Sequence, residues 1–266
     1  MDEDVNEPRE SYFARLRARL EEDFRLLRAA IAASDHEERV PSCPEWTADR
    51  LAHHVAQTYL HKVECIRLGA FPEDWPPADL NPDPVGVLDD GFAALTAAFD
   101  AHRPQDAAAT WHGPDQTVGF WIRRMCQETV VHRVDAEQVA GIELAPIPQD
   151  IALDGIDEFL ELFIGYLSGD WPEHFADVLE HADPRPVMIA GGGRSWSLEA
   201  QPGGVTVRSL LAVAAADVSE RTTLVEGEPA ELLLWLWGRV GDRSVRQVGD
   251  PALLEQLLAL RKKATQ

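Results

Sequence analysis

One stretch constrains this chain more than any other. Between Thr117 and Gly141, Trp121, Met125, Ala136 and Val139 recur at helical spacing, and Glu128 and His132 fall on the same face. The pattern predicts a helix over about 117–140, closed by Gly141. A carboxylate and an imidazole are thereby set into the stripe that faces the core. An unpaired buried carboxylate is costly, so a neighbour must compensate it. A hydrogen-bonded Glu–His couple would do so, and so would a divalent metal. His54, in the apolar stripe of another predicted helix, would complete a metal site. Two imidazoles and a carboxylate suit zinc or another first-row divalent ion, and three protein ligands leave an open position.

Helical periodicity continues through the first half. Residues 11–33 carry Phe13, Leu16, Leu20, Phe24, Leu27 and Ile31 at helical spacing. Pro41 and Pro44 stiffen the loop 40–46. Thr47 is then an N-cap, with Asp49 in the first turn of a helix running to about Leu68. Its inner stripe is Leu51, His54, Val55 and Thr58, then His61 or Lys62, and Cys65. Residues 70–84 hold five prolines, a long irregular connection of a kind that is often functional. A third helix is predicted over 85–102, with Leu88, Phe92, Leu95 and Phe99 inward. Four helices with loops compatible with antiparallel neighbours predict a bundle.

After Pro146 and Pro148 the character changes. Residues 151–167 are helical, with Ile156, Phe159, Leu160, Phe163 and Ile164 as the stripe. Strands are predicted over 187–190, 195–199, 205–207 and 222–226, with turns at 191–193 and 202–204. Helices follow over 230–239 and 251–261. The fold class is therefore α+β: a four-helix bundle over 1–150 and a small α/β domain over 151–266.

The 266 residues are 45% hydrophobic, enough for two cores. Acids outnumber bases 46 to 24, and the net charge of -22 repels phosphate backbones and anionic membranes. Neither nucleic acid nor membrane is expected as a partner. Cys43, Cys65 and Cys126 show no CxxC spacing and are expected to be reduced. Residues 1–10 lack the basic and apolar regions of a signal peptide, and no apolar run is long enough to span a bilayer. The expectation is a soluble, cytoplasmic protein.

The segment Val40-Pro41-Ser42-Cys43-Pro44-Glu45-Trp46-Thr47, followed by Leu51-Ala52-His53-His54, resembles the N-terminal signature of the mycothiol-dependent maleylpyruvate isomerase family. Glu128-Thr129-Val130-Val131-His132-Arg133-Val134-Asp135-Ala136-Glu137, closing with Gly141, is similar to its second signature. Leu153-Asp154-Gly155-Ile156-Asp157-Glu158-Phe159-Leu160 and Leu232-Leu233-Leu234-Trp235-Leu236-Trp237-Gly238-Arg239 resemble its C-terminal region. The likeness covers about 11–245, with four motifs in order. It implies a DinB-like four-helix bundle holding a divalent metal, usually zinc, and a C-terminal domain similar to sterol carrier proteins. It carries the metal ligands over to His54, Glu128 and His132. It implies mycothiol or a related low-molecular-weight thiol as cofactor and a small electrophilic or anionic molecule as substrate. The thiol adds to a cis double bond and leaves after rotation to trans; relatives use the same apparatus for thiol S-transfer. The resemblance also implies that Arg239 reaches the active cleft and binds a carboxylate of the substrate or of the thiol cofactor.

Other residues have competing readings. His61, two turns after His54, lines the cleft and contacts a substrate carboxylate, or is a partly buried polar residue. His53 points about 100° away from His54 and reads as a surface or capping residue. Asp135 supports His132 or lies on the surface; Arg133 reads as an ion-pair residue. Cys43 reads as part of a structural turn, and Cys65 and Cys126 as core filling. Arg239 also suits the C-terminal end of a helix dipole. Gly191-Gly192-Gly193 lacks the context of a nucleotide loop. Two other functions compete: a non-catalytic ligand-binding module whose structural metal is closed by His61 or Cys126, and a metal-assisted hydrolase.

Overall fold

The computed structural model describes residues 9–211 and 223–265. The chain divides into two compact units, 1–145 and 146–266. Residues 1–8 and Thr222, on which the N-terminal reading and the start of one predicted strand partly rest, lie outside the described residues.

The first unit is a four-helix bundle: α1 (Arg9–Ala33), α2 (Ala48–Leu68), α3 (Pro84–Ala101) and α4 (Val118–Val139). Local chemistry sets the ends. The Thr47 hydroxyl accepts the Arg50 N–H, Asp83 accepts from Gly86 across 2.6 Å, and Thr117 accepts from Phe120. Gly141 closes α4 at φ 65°, donating to the Gln138 carbonyl while Ile142 donates to that of Glu137. A Cβ on Gly91 would lie 3.1 Å from the Ala56 backbone, so glycine lets α3 approach α2 closely.

Helix α1 buries Leu16, Leu20, Phe24, Leu27 and Ile31, as its periodicity predicts; Phe13 is only half-buried. Helix α4 is buried on nearly every side, which makes it the centre of the unit. Its polar residues are therefore matched inside the protein. Arg133 donates to Asp23 of α1 across 3.0 Å, to Glu137 across 2.6 Å and to the Ala145 carbonyl across 2.7 Å. The predicted proline-stiffened loop is a small hairpin instead. Strand β1 (Arg39–Val40) pairs antiparallel with β2 (Cys43–Thr47), Arg39 opposite Thr47. Two residues are too few to show an alternation in the sequence, and Pro44 is tolerated because this pair has only edges.

The second unit opens with α5 (Gln149–Glu158), a π-helical stretch over Phe159–Tyr166 and α6 (Leu167–Asp170), where an uninterrupted α-helix is predicted. Helix α7 (Pro172–Leu179) follows, unpredicted. The sheet then forms from β3 (Val187–Gly191), β4 (Arg194–Gln201), β5 (Gly204–Leu211), β6 (Thr223–Glu226) and a further unpredicted strand, β7 (Arg246–Val248). Strand order is β5-β4-β3-β6-β7, with β3 and β6 parallel and the other pairs antiparallel. Helix α8 (Pro229–Leu236) lies before β7, and α9 (Pro251–Ala264) ends the chain. Asp157 of α5 takes both Arg194 terminal nitrogens and the Trp196 indole N–H of β4, which ties helix to sheet.

Helix α8 stops at Leu236, short of the predicted Arg239. Gly238, at φ 72°, donates to the Trp235 carbonyl and Arg239 donates to that of Leu234, so the chain turns off the helix there. No helix among the described residues is long and apolar enough to cross a membrane.

Candidate functional site

His54 stands in the second turn of α2, and Glu128 and His132 in the middle of α4, which packs against α2. Both imidazoles turn Nε2 toward one oxygen: Glu128 Oε1 lies 3.3 Å from His54 and 3.2 Å from His132. One ligand atom from each residue lies within 4.8 Å of the other two. In a tetrahedral zinc site, with bonds of about 2.1 Å, ligand atoms stand about 3.4 Å apart. The three residues could hold a divalent metal ion on spacing and on donor chemistry alike.

Each donor is oriented by a neighbour. Arg124, one turn before Glu128 and 5% exposed at its side chain, donates to Oε2, which leaves Oε1 for the imidazoles. The Nδ1–H of His132 donates to Asp135 Oδ2 across 2.9 Å, and the Ser42 hydroxyl donates to the other Asp135 oxygen. Asp135 is fully buried, so of its two readings the supporting one describes it. The ring of Trp46, from β2, lies 4.5 Å from that of His54 and 6.2 Å from that of His132. The hairpin therefore supplies both a roof over the imidazoles and the hydroxyl beneath Asp135. His54 keeps 37% of its side chain exposed against 14% for Glu128, so the cluster opens on the His54 side.

The site is strongly polarised. Burial pushes the Glu128 carboxyl up, but the charges of His132 and Arg124 and the hydrogen bonds from both imidazoles hold it well below the usual carboxylate range. Burial pulls His132 down, yet the Glu128 charge and the Asp135 hydrogen bond raise it to about 9.

His61 is half-buried further along α2, outside the three-residue cluster. Its Nδ1 faces Lys62 Nζ at 3.2 Å and Cys65 Sγ at 3.5 Å. Burial, then the Lys62 charge, lower its pKa to about 4, so the ring is neutral at neutral pH. Its edge meets Trp75 at 5.1 Å, and Phe71 lies at 6.0 Å, both from the proline-rich connection. His53 is half-buried, its ring nitrogens 3.0 Å from the Asp49 carbonyl and 3.3 Å from that of Asn81, and it caps neither helix. Cys65 and Cys126 are buried, and Cys43 sits half-buried in β2. Arg239, in the second unit, is half-buried just past α8 and donates to the Trp237 carbonyl across 2.6 Å.

Sequence reasoning passed over three residues here. Arg124 was detectable, because it precedes Glu128 by four on the same helical face. Trp46 and Ser42 stand inside a quoted motif, but nothing local shows a hairpin folding over α4.

Residues 17–137 match the family model for the mycothiol maleylpyruvate isomerase N-terminal domain, and residues 150–256 match that of the MDMPI C-terminal domain. No curated protein matches. Among solved structures, the fold is similar to the crystal structure of the mycothiol-dependent maleylpyruvate isomerase, at 17% identity and a TM-score of 0.57, covering 87% of this chain and 92% of that one. A histidine-to-alanine mutant of the mycothiol-dependent maleylpyruvate isomerase is similar at 16% identity, with the same TM-score and coverage. The two family models together span most of the sequence, and the chain belongs to the mycothiol-dependent maleylpyruvate isomerase family of enzymes.

Proposed function

We propose that this chain is a metal- and thiol-dependent enzyme that acts on a small electrophilic or anionic substrate. The reaction is cis–trans isomerisation of a maleylpyruvate-like molecule or, on the same apparatus, thiol S-transfer. One observation carries the reading: His54, Glu128 and His132 bring two imidazole nitrogens and a carboxylate oxygen within 4.8 Å of one another. Zinc suits this donor set. When bound, the ion supplies a low-pKa position for the sulfur of mycothiol or a related thiol, and the thiol supplies a nucleophile that adds reversibly to a double bond.

The chain's own residues prepare that position. Asp135 fixes the His132 tautomer so that Nε2 faces the cluster. Arg124 holds Glu128 so that one oxygen faces the imidazoles. Trp46 covers both rings and limits water on that side. His61, neutral and accepting at Nδ1 from Lys62, presents its other ring nitrogen as an N–H donor toward a substrate oxygen. Arg239 offers a guanidinium, a group shaped for bidentate carboxylate binding.

The alternative of a closed, structural metal needs a fourth protein ligand, and the cluster gathers neither His61 nor Cys126. The test is metal analysis of the purified protein together with turnover of maleylpyruvate with and without mycothiol. Stoichiometric metal and strictly thiol-dependent isomerisation are expected. Metal-free protein that binds no thiol would sink the proposal, and turnover without added thiol would point to hydrolysis.

A further inference from the structure

We propose that the Lys62 ammonium is the binding point for a substrate carboxylate beside the His54–Glu128–His132 cluster. This rests on the functional reading above and names the residue that selects an anionic substrate.

Lys62 lies two turns beyond His54 on α2. Its ammonium stands 4.7 Å from the ring centre of the fully buried Trp121 and 3.2 Å from His61 Nδ1. No described carboxylate comes within salt-bridge range of it. That is a conspicuous gap in a chain with 46 acids to 24 bases. Burial lowers the Lys62 pKa, Glu128 attracts its charge and Arg124 repels it. Glu128 attracts Lys62 only through space and forms no ion pair with it; its oxygens meet Arg124 and the two imidazoles. A cation taken out of water without a counter-ion is unfavourable. An ammonium has three donors, and here one is directed at His61 while the charge rests on the Trp121 face. An incoming carboxylate would complete the set.

The surroundings define the ligand further. Phe71 and Trp75 flank His61, the ring to which Lys62 donates, and Phe71 is 48% exposed, so an apolar wall borders the His61–Lys62 pair and reaches the surface. That combination fits a short unsaturated chain ending in a carboxylate. The neutral His61 ring gives a second, uncharged donor beside the cation.

The test uses the full chain with its metal bound, and maleate, a cis-dicarboxylate, as the probe in calorimetric titration. Wild type is compared with Lys62→Met, which keeps the aliphatic stem over Trp121, and Lys62→Arg, which keeps the charge. Lys62→Met is expected to bind maleate on the order of tenfold more weakly or worse, at unchanged metal content. It should melt no lower than wild type, because an unmatched cation is gone. Lys62→Arg should retain binding. Equal binding by wild type and Lys62→Met, no binding by wild type, or equal loss in both variants overturns the assignment. Thiol-dependent turnover of maleylpyruvate by wild type is scored separately. Its absence defeats the functional reading, whereas the maleate titration decides Lys62.

Discussion

His132 donates Nδ1–H to Asp135 Oδ2 across 2.9 Å, one turn along α4, and this bond selects Nε2 as the nitrogen that meets Glu128. Carboxylate support of this kind raises the basicity of a metal-binding imidazole and fixes its ring. Asp135→Asn keeps the size of the side chain and removes its charge. It should weaken metal binding about 10- to 100-fold, read by competition with a chromogenic chelator, while helix content stays the same. Unchanged affinity would remove Asp135 from the site.

Proton competition gives a second prediction. In the metal-free protein His132 titrates at about 9, above its ordinary value near 6.5. At pH 7 the ring therefore carries two protons, and a metal must displace the one on Nε2. Metal binding at pH 7 should release about one proton per site, measured by calorimetry in buffers of different ionisation enthalpy. The sign for stability follows from the same shift. The folded pKa is raised, so the apo protein holds this contribution fully below about 6.5 and loses it as pH rises through about 9. The gap in melting temperature between metal-loaded and chelator-treated protein should thus widen from pH 7 to above 9. A gap that narrows over that range would contradict the assignment of His132.

What the sequence disclosed, and what it hid, follows from the range of each interaction. Thr47, Thr117 and Gly141 cap their own helices, so α2 and α4 end where local chemistry places them. Glu128 and His132 share a face by helical phase alone. Phase also puts His54 on an inner stripe, but the bundle's packing is what brings it to Glu128. Asp135 was ambiguous because a single stripe does not reveal that α4 is buried all round. Between His61 and Lys62, seven and eight residues past His54, spacing could not choose; the structure sets the two side chains 3.2 Å apart, outside the three-residue cluster. The hairpin over 39–47 was invisible because its pairing is brief and its purpose, carrying Trp46 and Ser42 to α4, is a tertiary one.

Arg133 neighbours the site and carries a different load. It is fully buried between Asp23 of α1 and Glu137, both of them nearly or fully buried, and so joins the two helices. Arg133→Ala takes the charge partner from Glu137, which among the described residues keeps only the Ala145 N–H, while Asp23 retains Arg19. Loss of one partner from a buried pair costs about 3–5 kcal/mol, a loss to be seen in urea unfolding. A cost under about 1 kcal/mol would mean that water reaches these carboxylates.

Removing a metal ligand should have consequences that depend on what surrounds it. His54 keeps 37% of its side chain exposed, and its Nε2 meets Glu128. His54→Ala should fold with a stability change within about 1 kcal/mol and yet lose stoichiometric metal. Glu128 differs, because its Oε2 is the partner of Arg124, whose side chain is only 5% exposed. Glu128→Ala removes the carboxylate to which Arg124 donates and toward which both imidazoles turn. It should lose metal equally and be less stable than His54→Ala by about 3 kcal/mol. Adding Arg124→Met to Glu128→Ala should recover part of that loss without restoring metal, since it removes the buried cation that Glu128 neutralised. Denaturant unfolding and metal analysis on the four proteins separate the two effects, and equal stability of His54→Ala and Glu128→Ala would show that Arg124 does not depend on Glu128.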